Sequence, residues 1–131
     1  MRTSHRLLAI PLLITAASLS SCAAIAVGAA AVVVSQDVLD NNVYVATLDR
    51  GPDQVWASAK VALNHASMKP IDAQDDMRKA TATIDDATVT VSVETYDLNR
   101  STLRVSAKKY GVNNGQIAKM VYDKILNEIE H

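Results

Sequence analysis

Two neighbouring segments of this chain place an apolar residue at every second position, and this pattern restricts the fold more than any other feature. Residues 88–96 read TVTVSVETY and residues 101–109 read STLRVSAKK. Such alternation is typical of a β-strand with one face in a core and the other in solvent. The polar DLNR between them is short, so the pattern predicts an antiparallel hairpin. Its buried face would consist of Val89, Val91, Val93, Leu103, Val105 and Ala107.

Two other segments have helical spacing. Pro52 follows Gly51 at a favoured first helical position, and Asp53 suits the positive end of the helix dipole. The glycines at 111 and 115 interrupt the chain before a second helix predicted over residues 116–129. The apolar stripes are Val55, Ala59, Ala62, Leu63 and Ala66 with Trp56 at the border, and Ile117, Val121, Ile125 and Ile129 widened by Met120, Tyr122 and Leu126.

The remaining strands complete an antiparallel sheet. Residues 42–48 alternate clearly and residues 78–85 alternate weakly, whereas residues 69–74 include Pro70 and suit a sheet edge or a strand start. Residues 69–74 are not counted as a separate strand, so the order is strand, helix, three strands, helix. We therefore predict an α+β fold, a two-layer sandwich in which a four-stranded antiparallel sheet carries two helices on one face.

The N-terminal segment has the organisation of a secretory signal. A basic stretch over residues 1–6 precedes an apolar run over residues 7–19, and the chain then reads Leu-Ser-Ser before Cys22. This end resembles the bacterial lipobox, in which the cysteine receives a diacylglyceryl group and becomes the new N-terminus. We predict a lipoprotein signal peptide at 1–21, a lipidated apolar tether at 22–41 and a single α+β domain at 42–131.

The nature of the anchor has alternatives. Ala23 is not the aspartate that retains many lipoproteins in the inner membrane, so resemblance to lipoproteins implies the bacterial outer membrane, facing the periplasm. Residues 23–34 are apolar but too short to span a bilayer, which takes about 20 residues. One alternative is an uncleaved signal anchor over residues 7–34. Another is an ordinary secretory signal with an incidental cysteine.

Composition and motifs exclude several functions. The formal net charge is −1 and becomes −3 when Arg2 and Arg6 leave with the signal, so we expect no nucleic-acid partner. No nucleophile motif accompanies the scattered histidines, and we predict no catalytic, metal-binding or cofactor-binding residue. The acidic group of Asp72, Asp75 and Asp76 lacks the glycine and glutamate of a calcium loop and is interpreted as a solvated turn.

Residues 45–63, VATLDRGPDQVWASAKVAL, and residues 108–129, KKYGVNNGQIAKMVYDKILNEI, resemble the domain-of-unknown-function 3568 family. Its members are small bacterial lipoproteins without an assigned activity. The resemblance implies that Cys22 is the lipidated cysteine and supplies no catalytic residues. The recurrent strand-to-helix signature of the family would match Ala46, Leu48, Val55 and Trp56.

Two functions follow as expectations. The first is a non-catalytic lipoprotein that binds or scaffolds a periplasmic protein or peptidoglycan through the sheet face opposite the helices. The second is a ligand carrier or small hydrolase, which requires a concave pocket with converging polar groups. The candidate interaction face consists of Thr90, Ser92, Glu94, Thr102, Arg104 and Ser106, with Thr88 and Lys108 beside them.

Overall fold

The computed structural model describes residues 32–131, which form two helices and one antiparallel sheet. The order of strands in the sheet is β1-β2-β6-β5-β4-β3, and β7 pairs with β6. The elements are β1 (Val33–Leu39), β2 (Val43–Leu48), α1 (Pro52–Ala66), β3 (Asp72–Gln74), β4 (Lys79–Ile84), β5 (Ala87–Thr95), β6 (Ser101–Lys109), β7 (Val112–Asn113) and α2 (Gly115–Glu130).

The α+β class is confirmed, but the prediction of a four-stranded sheet is wrong, because residues 32–131 alone form a sheet of seven strands. Strand β1 lies within the predicted tether and is almost entirely exposed, so its sequence VVSQDVL has no buried face to impose alternation. Strands β3 and β7 contain only three and two residues, too few to show a period. The omitted strands are short or lie at the edge, where burial constrains the sequence least.

Tight turns connect several pairs of strands that are adjacent both in the chain and in the sheet. Three of these turns have two consecutive residues with positive φ, the conformation that matches the right-handed twist of a hairpin. The turn predicted at residues 85–86 is one of them. The pairs are Asp40 and Asn41 between β1 and β2, Asp85 and Asp86 between β4 and β5, and Tyr110 and Gly111 between β6 and β7.

Both helices pack on the same face of the sheet and against each other. Val91 and Val105 face each other across β5 and β6 and are completely buried, which confirms the predicted inward face of the hairpin. Trp56 is 5% exposed, so it packs in the core as the helical stripe indicated. The sheet face away from the helices is therefore not covered by any element of residues 32–131, and most of its side chains are polar.

Candidate interaction surface

The six residues of the candidate interaction face lie on adjacent strands at the centre of the sheet. They form three cross-strand pairs: Thr90 with Ser106, Ser92 with Arg104, and Glu94 with Thr102. Their strand neighbours alternate with them and are buried under the helices. The prediction that these residues share one face is confirmed, whereas their role in binding stays a prediction.

The face extends well beyond the predicted hairpin, and we call the whole of it the open face. Residues paired in register across a sheet project from the same side, so the pairing extends this face to every strand. One row crosses six strands through Gln74, Lys79, Ser92, Arg104, Val45 and Asp37. The other members are Ser35, Leu39, Val43, Thr47, Asp72, Thr81, Thr83, Thr88, Lys108 and Asn113.

The open face carries equal numbers of basic and acidic side chains, and none of them takes part in an ion pair within residues 32–131. The ion pairs found within residues 32–131 all involve other side chains, so none neutralises Arg104 or Glu94. Thr90, Ser92 and Ser106 are half-buried between their neighbours. Opposite charges at separate positions can select a complementary partner surface. The basic members are Lys79, Arg104 and Lys108, and the acidic members are Asp37, Asp72 and Glu94.

Sequence reasoning missed an apolar strip on the open face. Val43 and Val45 of β2 are half-buried, and Val45 lies directly opposite Arg104. The alternation of residues 42–48 predicted that these two valines share a face. It could not show that β2 lies beside β6, because that pairing joins distant parts of the chain.

The turn between β3 and β4 is fastened to α1 by polar contacts. The Asp75 carboxylate accepts hydrogen bonds from the Trp56 indole N–H at 2.8 Å and from the Lys60 ammonium at 2.7 Å. The Lys60 ammonium also lies 5.3 Å from the centre of the Trp56 ring, and Arg78 pairs with Asp53 at 2.7 Å. These contacts hold the edge of the sheet against the first turns of α1. Asp75 thus has a structural role, beyond the solvated turn that the sequence indicated.

The free energy of unfolding should depend on pH through the Asp75 carboxyl. Its hydrogen bonds from Lys60 and then from Trp56 hold the pKa of the carboxyl below its ordinary value. A depressed pKa means that the stabilisation is present above the pKa of the unfolded chain and is lost as pH falls through the folded value. We therefore expect the stability advantage of the wild type over Asp75→Asn to shrink as the solution is acidified.

Urea denaturation followed by Trp56 fluorescence at a series of acidic pH values would measure this change. Asp76→Asn is a matched control, because Asp76 is exposed and its carboxylate forms no hydrogen bond within residues 32–131. A gap between wild type and Asp75→Asn that stays constant from neutral to acid would contradict the expected role of the carboxylate.

Strand β1, at the other edge of the sheet, is held by a hydrogen bond from α2. The Tyr122 hydroxyl of α2 donates a hydrogen bond to the Gln36 side-chain oxygen of β1 at 3.1 Å. The Tyr122 ring stacks on Tyr44 of β2, with ring centres 5.4 Å apart. Burial, with a contribution from Asp123, raises the pKa of Tyr122 to about 12, so the hydroxyl keeps its proton for this bond at physiological pH. Tyr122 therefore connects α2 to β1.

Within residues 32–131, the features that catalysis or metal binding would use are sparse. No three His, Cys, Asp or Glu side chains of this region are grouped as metal ligands. A surface depression of about 320 Å³ lies between the end of α1 and the turn after β4. It is open to solvent, and its acidic members occupy the turn. The lining residues are Ala66, Met68, Lys69, Thr83, Ile84, Asp85 and Asp86.

Cys22 lies outside the described residues, so its lipidation stays a prediction. Neither helix within residues 32–131 has the length and apolar character needed to cross a membrane.

The fold and the open face define a class: small two-layer α+β domains with one sheet face covered by helices and the other uncovered. Residues 6–127 match the family model described as "Protein of unknown function (DUF3568)", so the chain belongs to that family. The resemblance seen in the sequence is confirmed. No curated protein matches the sequence.

Proposed function

We propose that this protein is a lipid-anchored component of the bacterial cell envelope whose domain binds or scaffolds another periplasmic component without catalysis. The observation that carries the proposal is the open face, which is mostly polar and which no helix of residues 32–131 covers. The anchor is a lipid on Cys22, and the location is the outer membrane, facing the periplasm.

The composition of the open face supports a protein partner ahead of peptidoglycan. Val43 and Val45 form an apolar strip, and the charged Arg104 and Asp37 lie on either side of Val45. An apolar centre with polar surroundings is the usual arrangement of a protein interface. The strand residues that pair on this face include no aromatic side chain, although rings commonly stack on sugars.

Photocrosslinking in intact cells tests the binding role. A photoreactive amino acid at Ser92, in the middle of the open face, is expected to give a discrete adduct. The same group at Val61, which is 39% exposed on α1, is the control and should give none. An adduct of fixed protein mass identifies a protein partner, whereas an adduct shortened by a muramidase identifies peptidoglycan. Identical patterns from both positions, or no adduct from Ser92, would contradict binding through the open face.

The anchor is tested at Cys22. Cys22→Ser removes the sulfur that would be alkylated, so we expect an uncut precursor without lipid, held in the inner membrane by residues 7–19. Ser21→Ala keeps a small residue before the cysteine and should be processed normally. Intact masses and membrane fractionation of both variants and the wild type measure this. A wild-type protein that retains residues 1–21 and has no lipid would refute the lipoprotein proposal.

A further inference from the structure

The pairing of the strands shows at which end of the sheet the N-terminal segment joins the domain. Val33 pairs with Leu48, Leu48 pairs with Ser101, and Ser101 pairs with Thr95, so these four residues form one row near the sheet end. Val32 is 1% exposed, and its carbonyl accepts a hydrogen bond from the Asp49 N–H at 2.7 Å. The point of attachment is therefore fixed to the core. We call this the proximal end of the sheet.

Besides the short link from β2 to α1 at residues 49–51, two connections project from the proximal end. The loop from Tyr96 to Arg100 follows β5 directly beyond this row. The turn from Asp75 to Arg78 lies at the same end, because the Arg78 carbonyl accepts a hydrogen bond from the Val93 N–H. The proximal end thus consists of the start of β1, the link from β2 to α1, this loop and this turn.

The tips of these connections carry exposed apolar side chains. Leu98 is 93% exposed, Met77 is 62% exposed and Tyr96 is 58% exposed. The Arg100 guanidinium lies 4.9 Å from the centre of the Tyr96 ring. Tyrosine and arginine with an adjacent aliphatic side chain suit a lipid headgroup region, because each joins an apolar body to a polar tip.

Three carboxylates at the proximal end form ion pairs, whereas Asp49 and Asp76 form none within residues 32–131. Asp97 pairs with Arg100 at 2.6 Å, and Asp75 pairs with Lys60 at 2.7 Å. Asp53 pairs with Arg78, as described above. Repulsion between these three paired carboxylates and anionic lipid headgroups is correspondingly reduced.

The length and composition of the connecting chain restrict how far the domain can lie from its anchor. Nine residues, AAIAVGAAA, separate Cys22 from Val32, and all are apolar or glycine. Full extension over ten steps would reach at most about 35 Å. Holding apolar side chains extended in water is unfavourable, since burial is worth about 25 cal/mol per Å² of apolar surface. The segment therefore favours a short separation between membrane and domain.

We infer that the proximal end rests on the membrane surface, with Leu98 and Tyr96 among the lipid headgroups. This inference depends on the proposed lipid anchor. The strands then stand steeply to the bilayer, and the open face is directed sideways, accessible along its length to a neighbouring protein. The turn at Tyr110 and Gly111 lies at the distal end, about 30 Å away along the nine residues of β6.

Contact quenching by brominated lipid tests this orientation. The full processed protein is reconstituted into vesicles of phosphatidylethanolamine and phosphatidylglycerol that contain brominated phosphatidylcholine. Leu98→Trp reports on the proximal end and Tyr110→Trp on the distal end. Tyr110 is 83% exposed, so the two positions are matched in exposure, and neither substitution touches the core. The wild type supplies the signal of Trp56, and circular dichroism verifies folding.

We expect brominated lipid to cause a loss of emission in Leu98→Trp beyond that of the wild type, and no additional loss in Tyr110→Trp. Co-flotation with vesicles, measured on the same samples, reports the anchor separately. Protein that does not float overturns the proposed anchor and the inference with it. Protein that floats but shows quenching at both positions, at neither, or only at position 110 overturns the orientation while the anchor stands.

Discussion

Gly115→Ala is expected to lower the free energy of unfolding by about 2 kcal/mol, the usual size of an overpacking penalty. A Cβ on Gly115 would lie 2.5 Å from the Asn41 carbonyl oxygen and 3.3 Å from the Asn42 Cα. Both are backbone atoms of the turn between β1 and β2, so a rotamer change cannot relieve the clash. Alanine would otherwise favour a helix over glycine, and the predicted loss therefore opposes the intrinsic preference. Urea denaturation of the purified protein measures the difference.

Gly51→Ala is the matched control, because Gly51 also lies at the start of a helix. Its φ is −64°, and a Cβ there would approach only the Leu98 carbonyl oxygen, at 3.8 Å, which is an ordinary contact. We expect a loss below about 1 kcal/mol from the poorer cap. If Gly115→Ala were as stable as Gly51→Ala, the close packing of α2 on this turn would be wrong.

Leu103→Ala is expected to cost about 3 kcal/mol, within the range measured for buried leucines. Leu103 is fully buried in β6, between Val93 of β5 and Ala46 of β2. The helices close over it, so the cavity left by the missing atoms can collapse only in part. The midpoint of urea unfolding should fall with little change in its slope, since the surface exposed on unfolding is nearly the same.

Leu98→Ala removes the same atoms from a side chain that is 93% exposed. Its effect should stay within about 0.5 kcal/mol, as for most surface substitutions. Equal losses at the two leucines would mean that the buried and exposed faces have been assigned wrongly.

The periodicity of apolar residues predicted the strands and helices that have one face in the core and the other in solvent. The alternation around Val91 and Val105 indicated β5, β6 and their inward face, and the spacing from Ile117 to Ile129 indicated α2. Strand β1 escaped prediction because it is exposed at the sheet edge, where neither face imposes a pattern. Patterns within a short segment thus predict individual helices and strands better than they predict how many strands a sheet contains.

The open face was predicted only in part, for a related reason. Thr90, Ser92 and Arg104 belong to a hairpin whose partners are close in sequence, so their common face follows from alternation. Val45 joins them through the pairing of β2 with β6, which no local pattern specifies. The contact of Trp56 with Asp75 likewise depends on how α1 lies over the sheet.

The sheet order also affects when the domain can be completed as the chain emerges. Strands β3 to β6 pair with their sequence neighbours, whereas the first hairpin joins them only where Leu48 meets Ser101. Bringing together residues so far apart in the chain costs conformational entropy. The favourable free energy of pairing is gained only after this loop has closed. Strands β1 and β2, which are synthesised first, can therefore join the sheet only after β6 has been synthesised. A chain with this order of pairing cannot complete its sheet until most of the domain has been synthesised.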